Sequence, residues 1–303
     1  MTIADIDGVL DRIPALAGRN RVVEPLPGGL TNENFKITTE DGVFVARCNR
    51  SDSTLLGIDR DAEFHNTMAA EAAGVGAPFV DYRPDLGVLV IKFLEGRTYQ
   101  DDDLRAPGAL TRLIATLQSL HGGRRFVGDF DMFSRQANYL RTCRERGFTI
   151  PDDYERWSHE FARIGRALAV IPEESVPCHN DLLAANVVDD GDRLWLIDYE
   201  YSGNGDPYFD LGNTWTECGL DDDHLAEMVR AYAGRDDLQL SARARLNATV
   251  SRYGWALWGY IQDASLDDPF DFRGWGTERF ELAAADFSRA DFSTLLDQCA
   301  GQS

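Results

Sequence analysis

A chain of 303 residues with 44% apolar side chains can build a sizeable core, which excludes wholesale disorder. Its 51 acidic residues against 30 basic ones give a formal charge of −21, which excludes nucleic acid and anionic lipid as partners because both need cationic contacts. No run of about 18 apolar residues occurs, so no membrane span is expected, and the acidic opening MTIADIDGVLDRIPALAG lacks the basic stretch of a secretory signal.

Ile3, Ile6, Val9, Leu10 and Ile13 recur at a helical period, which predicts a helix over 3–17 that Pro14 weakens near its end. Val22 to Leu26 leads into the turn PGGLTNEN. A strand over 35–39, a turn at Glu40-Asp41-Gly42 and a strand over 43–47 follow. Gly28 and Gly29 fit two uses. They make an ordinary turn, or they let backbone amides approach phosphates, with Thr31 and Asn32 as further donors. No G-x-x-x-x-G-K-[ST] run exists, so a P-loop is excluded. Residues 59–73 predict a helix capped by Asp59 and ended by Gly74 and Gly76. Strands over 78–82 and 88–93 complete a small, mostly antiparallel sheet.

Beyond Gly96 the pattern turns helical. Leu110, Leu113, Ile114, Leu117 and Leu120 share one face. Further helices are expected over 134–147, 152–170, 221–234, 241–264 and 276–298. The class is therefore α+β. Residues 1–94 form a β-rich amino-terminal lobe and 95–303 a helical carboxy-terminal lobe, with a ligand cleft between them.

Between the helices lies the most informative stretch, 176–213. Asn186-Val187-Val188 and Leu194 to Ile197 flank Asp189-Asp190-Gly191-Asp192, a hairpin with an acidic turn. A hairpin brings its outer ends together, so Asp181, Asn186 and Asp198 should converge. Two carboxylates and an amide oxygen suit Mg²⁺, with one carboxylate left as a base. The five cysteines (Cys48, Cys143, Cys178, Cys218, Cys299) form no Cys-x-x-Cys or Cys/His cluster, which argues against disulfides and zinc and fits a cytoplasmic location. Cys178, beside His179, is better read as a small buried apolar residue than as a nucleophile.

His179-x-Asp181 followed by Asn186 and then Ile197-Asp198 resembles the catalytic and metal-binding segments of kinase-like phosphotransferases. HNDLLAANVV, LIDYEYSG and FDLGN are similar, almost residue by residue, to the choline/ethanolamine kinase branch of the aminoglycoside phosphotransferase and choline kinase superfamily. WALWGYIQDAS and FDFRGWGTERF resemble the tryptophan-bearing helix and aromatic segment of choline kinases. The resemblance runs from about Leu26 to Phe280. It implies a bilobal protein-kinase-like fold with ATP and Mg²⁺ as cofactors. It further implies that Asp181 is the catalytic carboxylate, that Asn186 and Asp198 hold Mg²⁺, and that Arg47 meets the ATP phosphates. Glu63 would pair with Arg47, and backbone atoms of Lys92 and Leu94 would bond adenine. Asp210 would bond the catalytic-loop backbone, and His179 would brace that loop.

The acceptor is read from Trp255 and Trp258. Three apart, they share a helix face, as a core pair or as part of a cation box. The resemblance favours the box, with Glu200 and Tyr201. Trp215 and Trp275 stay open between box and core. The implied activity is transfer of the γ-phosphate of ATP to a small cationic alcohol, choline or ethanolamine. Thiamine, an aminosugar or an aminoglycoside is the alternative acceptor, which the Gly205-Asp206-Pro207 element of the broader group keeps open. A non-catalytic nucleotide-binding protein is a third reading. Against it stand Asp181, Asn186, Asp198, Arg47 and Glu63, all of workable type.

Overall fold

The computed structural model describes residues 3–50 and 53–302. Helix α1 (Ile3–Leu10) is shorter than the 3–17 expected, though Ile6, Leu10, Ile13 and Leu16 are all buried. The Pro14 ring disfavours helical backbone at Ile13 and clashes with the carbonyl of Leu10, so the chain continues in turns. The side chain of Ile3 lies outside the described residues.

Strands β1 (Arg21–Leu26), β2 (Asn32–Thr39) and β3 (Gly42–Asn49) are followed by the single turn α2 (Ser53–Leu56) and helix α3 (Arg60–Ala72). Strands β4 (Phe79–Arg83) and β5 (Val88–Lys92) complete an antiparallel sheet in the order β1-β2-β3-β5-β4. Side chains alternate across it. Phe35, Ile37, Phe44, Ala46, Cys48, Val88 and Val90 pack with Ile6 and Leu10 on one face. Arg47, between Ala46 and Cys48, therefore points to the other face, toward α3. The Asp59 carboxylate caps α3 by accepting from the amides of Asp61 and Ala62, as expected.

Next come β6 (Arg97–Thr98), α4 (Ala109–His121), α5 (Met132–Arg146), α6 (Ser158–Leu168), β7 (Val176–Cys178), β8 (Val187–Asp189), β9 (Leu194–Leu196) and β10 (Gly203–Gly205). Helices α7 (Pro207–Glu217), α8 (Asp222–Ala233), α9 (Leu238–Ser265), α10 (Phe272–Phe287) and α11 (Phe292–Cys299) end the chain. The expected hairpin is β8–β9, with Val188 opposite Trp195. It is tied to α4 by Arg112, whose two terminal nitrogens lie 2.7 and 2.9 Å from the oxygens of Asp189. The helix expected over 276–298 is two, α10 and α11, broken between Ser288 and Asp291.

Helix α9, 28 residues long, is buried over most of its circumference, as a central helix must be. Gly259 on α9 faces Gly276 on α10. A Cβ at Gly259 would come within 2.9 Å of the Gly276 Cα, so only glycine permits this crossing. The close approach sets Trp275 beside Trp258. Helix α3 also docks on the helical lobe. Asn66 donates to Ser202 Oγ and accepts from the Val127 amide, and the Leu196 amide donates to the Val75 carbonyl. No helix among the described residues is long and apolar enough to cross a membrane.

Candidate active site

A cavity of about 830 Å³ lies between the sheet and the helices. Gly28, Gly29, Thr31, Arg47, Lys92 and Leu94 line one side, and Asp181, Asn186, Asp198, Glu200, Tyr201, Trp255 and Trp258 the other. Asn32 and Glu63 are buried behind the lining.

The loop that carries Asp181 follows β7. Asp210, buried on α7, accepts the amides of His179 (2.9 Å) and Asn180 (2.6 Å), the backbone bonding expected of it. Asn180 takes the left-handed backbone (φ 66°) that this anchoring imposes. The His179 ring is buried, and its Nε2 donates to the Ile197 carbonyl at 2.8 Å. Burial lowers its pKa and keeps the ring neutral. It braces β9 against the loop and does not reach the cavity.

Asn186 donates its Nδ2 to the Asp181 carbonyl at 2.8 Å, which leaves Oδ1 as an acceptor. Asp198, at φ 72°, is the second left-handed non-glycine residue. Arg47 Nη2 lies 2.5 Å from Asp198 Oδ1 and 3.2 Å from Glu63 Oε1. Burial alone would raise the Asp198 carboxyl, but the charge and hydrogen bond of Arg47 outweigh it and hold it below the ordinary carboxylate range. Asp181 is the opposite case. Burial, then the charges of Asp198, Glu200 and Glu217, push its carboxyl well above that range. The two carboxylates of the cavity are thus pushed in opposite directions, a pattern that suits a divided metal and base role. The oxygen donors Asn186 and Asp198 fit a hard divalent cation.

Gly28 and Gly29 have φ 95° and 87°, backbone that side chains rarely adopt. The turn therefore presents backbone to the cavity. The side chains of Thr31 and Asn32, expected to serve phosphates, both bond one carboxylate. Thr31 Oγ1 donates to Glu200 Oε1 at 2.7 Å and Asn32 Nδ2 to Glu200 Oε2 at 3.0 Å. Glu200, expected in the acceptor box, is correspondingly engaged with the glycine turn. Arg60 Nη1 also reaches it at 3.0 Å. Burial, then Asp198 and Glu63, raise the Glu200 carboxyl to about 7, against Arg60 and Arg47. At the hinge between the lobes, Lys92-Phe93-Leu94, the Lys92 amide donates to the Pro78 carbonyl and the Phe93 amide to the Val43 carbonyl.

The far end of the cavity is aromatic. Trp258 Nε1 donates to Tyr201 Oη at 2.7 Å, and the Tyr201 ring meets Trp255 edge-on at 4.8 Å. Trp275 lines the cavity 5.2 Å from Trp258. Trp215 does not line it. It packs under Arg245 and Arg252 and donates to the Asp221 carbonyl. Glu217, which the sequence offers with Glu200 as an acid for a cationic acceptor, lines the cavity. Two further lining residues, Arg279 and Phe270, were not singled out by the sequence; Arg279 pairs with Glu217 and stacks 3.6 Å over Trp275. Periodicity carries a signal for Arg279, one turn after Trp275 on α10. The acidic run Asp221 to Asp223 is the start of α8, with Asp221 as its cap, and stays outside the cavity.

The model of the phosphotransferase enzyme family matches residues 22–248. Protein LicA of Haemophilus influenzae is 26% identical over 252 residues, 78% of this chain and 72% of that protein. Probable choline kinase 2 of Arabidopsis thaliana is 25% identical over 301 residues, 86% of this chain and 83% of that protein. A choline/ethanolamine kinase family protein from Mesorhizobium loti has a solved structure that superposes with a TM-score of 0.86 at 30% identity, over 99% of this chain and 100% of that one. A family match across most of the length and a whole-chain structural likeness agree with the bilobal cleft: the chain belongs to the phosphotransferase enzyme family, among its choline/ethanolamine kinase-like enzymes.

Proposed function

We propose that the protein transfers the γ-phosphate of ATP to the hydroxyl of choline, with ethanolamine the poorer acceptor. The observation that carries this is one cavity with an oxygen-donor end at Asp181, Asn186 and Asp198 and an aromatic end at Trp255, Trp258, Tyr201 and Trp275. Phosphoryl transfer asks for positioning and charge neutralisation. The glycine turn and Arg47 face the phosphates, and the hinge groups of Lys92 and Leu94 meet the adenine edge. The lobe of residues 1–94 thus holds the nucleotide, and that of 95–303 supplies catalysis and the acceptor site. Asn186 and Asp198 would hold Mg²⁺, which supplies charge neutralisation at the phosphates. The acceptor oxygen bonds the γ-phosphorus while the bond to the β–γ bridging oxygen breaks. The hydroxyl proton goes to Asp181, and ADP leaves with the electron pair.

The aromatic end favours a quaternary ammonium. Ring faces attract a cation that donates no hydrogen bonds. A primary ammonium needs acceptors, and the carboxylates Glu217 and Glu200 that line this cavity are already paired, with Arg279 and Arg60. The test is ADP release with ethanolamine, its N-methyl and N,N-dimethyl derivatives, and choline. Here kcat/KM should rise with each methyl group. A flat series, or one led by ethanolamine, overturns the quaternary-ammonium reading.

A further inference from the structure

Arg60 opens α3, where a cation is disfavoured by the helix dipole. The structure turns it inward. Its Nη1 lies 2.7 Å from Glu63 Oε2 and 3.0 Å from Glu200 Oε2. Its Nε and Nη2 are buried without a partner among the described residues, so a single nitrogen makes the bridge. Glu200 in turn holds Thr31 and Asn32, which close the glycine turn. Glu63 holds Arg47 with its other oxygen, and Arg47 reaches Asp198. One chain of charge-assisted contacts thus runs from the glycine turn through Arg60 to Asp198.

The charges explain why Arg60 has to be there. Asp198, Glu63 and Glu200 share two guanidiniums, Arg47 and Arg60. Glu63 and Glu200 are both buried, at 5% and 8% exposure. Without Arg60 they lose their common counter-ion and repel each other across a site of low dielectric. Glu200 is then no longer fixed, and the glycine turn loses the carboxylate it rests on.

We propose that Arg60 is a positioning residue for the nucleotide, a clasp that sets the glycine turn over the ATP phosphates through Glu200 while keeping Glu63 on Arg47. Arg60 does not line the cavity, so it acts through those neighbours. The proposal rests on the kinase reading only for where the nucleotide lies.

The experiment is a calorimetric titration of wild type, Arg60→Ala, Arg60→Gln and Arg60→Lys with ADP and Mg²⁺, followed by initial rates with ATP and choline. Arg60→Ala should weaken ADP binding and raise the KM for ATP by about tenfold, the worth of one hydrogen bond to a charged group. The KM for choline should stay unchanged. Arg60→Lys should recover most of the loss, because one nitrogen makes the bridge, and Arg60→Gln should not. If the alanine variant does not fold, the glutamine and lysine variants carry the comparison. A lowered melting temperature with ADP affinity unchanged in folded Arg60→Ala or Arg60→Gln would overturn the clasp. Weaker ADP binding by these variants, in a protein that leaves choline unphosphorylated, would support the clasp and overturn the acceptor reading. A wild type that binds no ADP overturns both.

Discussion

Arg47 Nη2 sits 2.5 Å from Asp198 Oδ1, so the sheet of the small lobe is tied to the carboxylate that follows the β8–β9 hairpin. The same nitrogen lies 3.2 Å from Glu63 on α3. Arg47→Ala leaves Asp198 without its cation and Glu63 with Arg60 alone. Removing one partner of a buried pair costs about 3–5 kcal/mol. The partial exposure of Asp198 places this case at the lower end. The variant should melt at lower temperature and bind ADP with Mg²⁺ weakly, whereas Arg47→Lys should keep part of both. Thermal melting with and without the nucleotide checks this.

Asp181→Asn should bind ADP with Mg²⁺ as the wild type does and lose turnover by roughly 10²–10⁴, the usual worth of a general base. Single-turnover rates and a nucleotide titration separate the two effects. Unchanged turnover would remove Asp181 from the mechanism.

The raised proton affinity of Asp181 has a sign that rates can read. The base must be ionised, so in the free enzyme kcat/KM should climb with pH through a value above the ordinary aspartate pKa of about 4. Glu217 is one of the charges that raise it. Glu217→Gln should therefore move the acid limb to lower pH, whatever it does to acceptor affinity. A limb that stays in place in this variant contradicts the assignment.

Trp258→Ala removes a ring of the aromatic end and the donor to Tyr201. Cation–π attraction is worth about 0.5–2 kcal/mol. The KM for choline should rise about 3- to 30-fold, with the KM for ATP unaffected. Trp215→Phe, on a residue outside the cavity, should leave both constants alone. Steady-state kinetics with each substrate varied in turn decides.

The β8–β9 hairpin is anchored by Arg112 on Asp189, with Tyr99 donating to the same carboxylate. The Arg112 hydrogen bonds hold the Asp189 carboxyl below its ordinary range, despite the opposing effect of burial. A folded-state value below the unfolded one gives stability that is present above about pH 4 and lost as pH falls through the lowered value. Melting temperatures from pH 6 down to pH 3 should drop less steeply for Asp189→Asn than for the wild type.

The parts legible in the sequence are those whose signal is local. The β8–β9 hairpin shows because two short apolar runs flank an Asp/Gly turn, and its closure brings Asp181, Asn186 and Asp198 to one cavity. The Asp59 cap shows because the residue stands just before a helical pattern. Long-range partner choice does not show. Thr31 and Asn32 stand beside a glycine turn, where phosphates are the obvious partners, yet they bond Glu200 across the cleft. Arg60, flanked by Asp59 and Asp61, carries no local sign that it turns inward, yet its side chain, 12% exposed, pairs with Glu63 and Glu200. Trp215 and Trp275 look alike in sequence. Only the close crossing at Gly259 and Gly276 brings one of them to the cavity.

The most direct test of the account is ADP release by purified protein with ATP, Mg²⁺ and choline, followed by ³¹P spectroscopy of the product. Wild type should form ADP and a phosphomonoester of choline in equal amounts, and Asp181→Asn should form neither. Absence of any choline phosphomonoester, or its formation at the wild-type rate by Asp181→Asn, would contradict it.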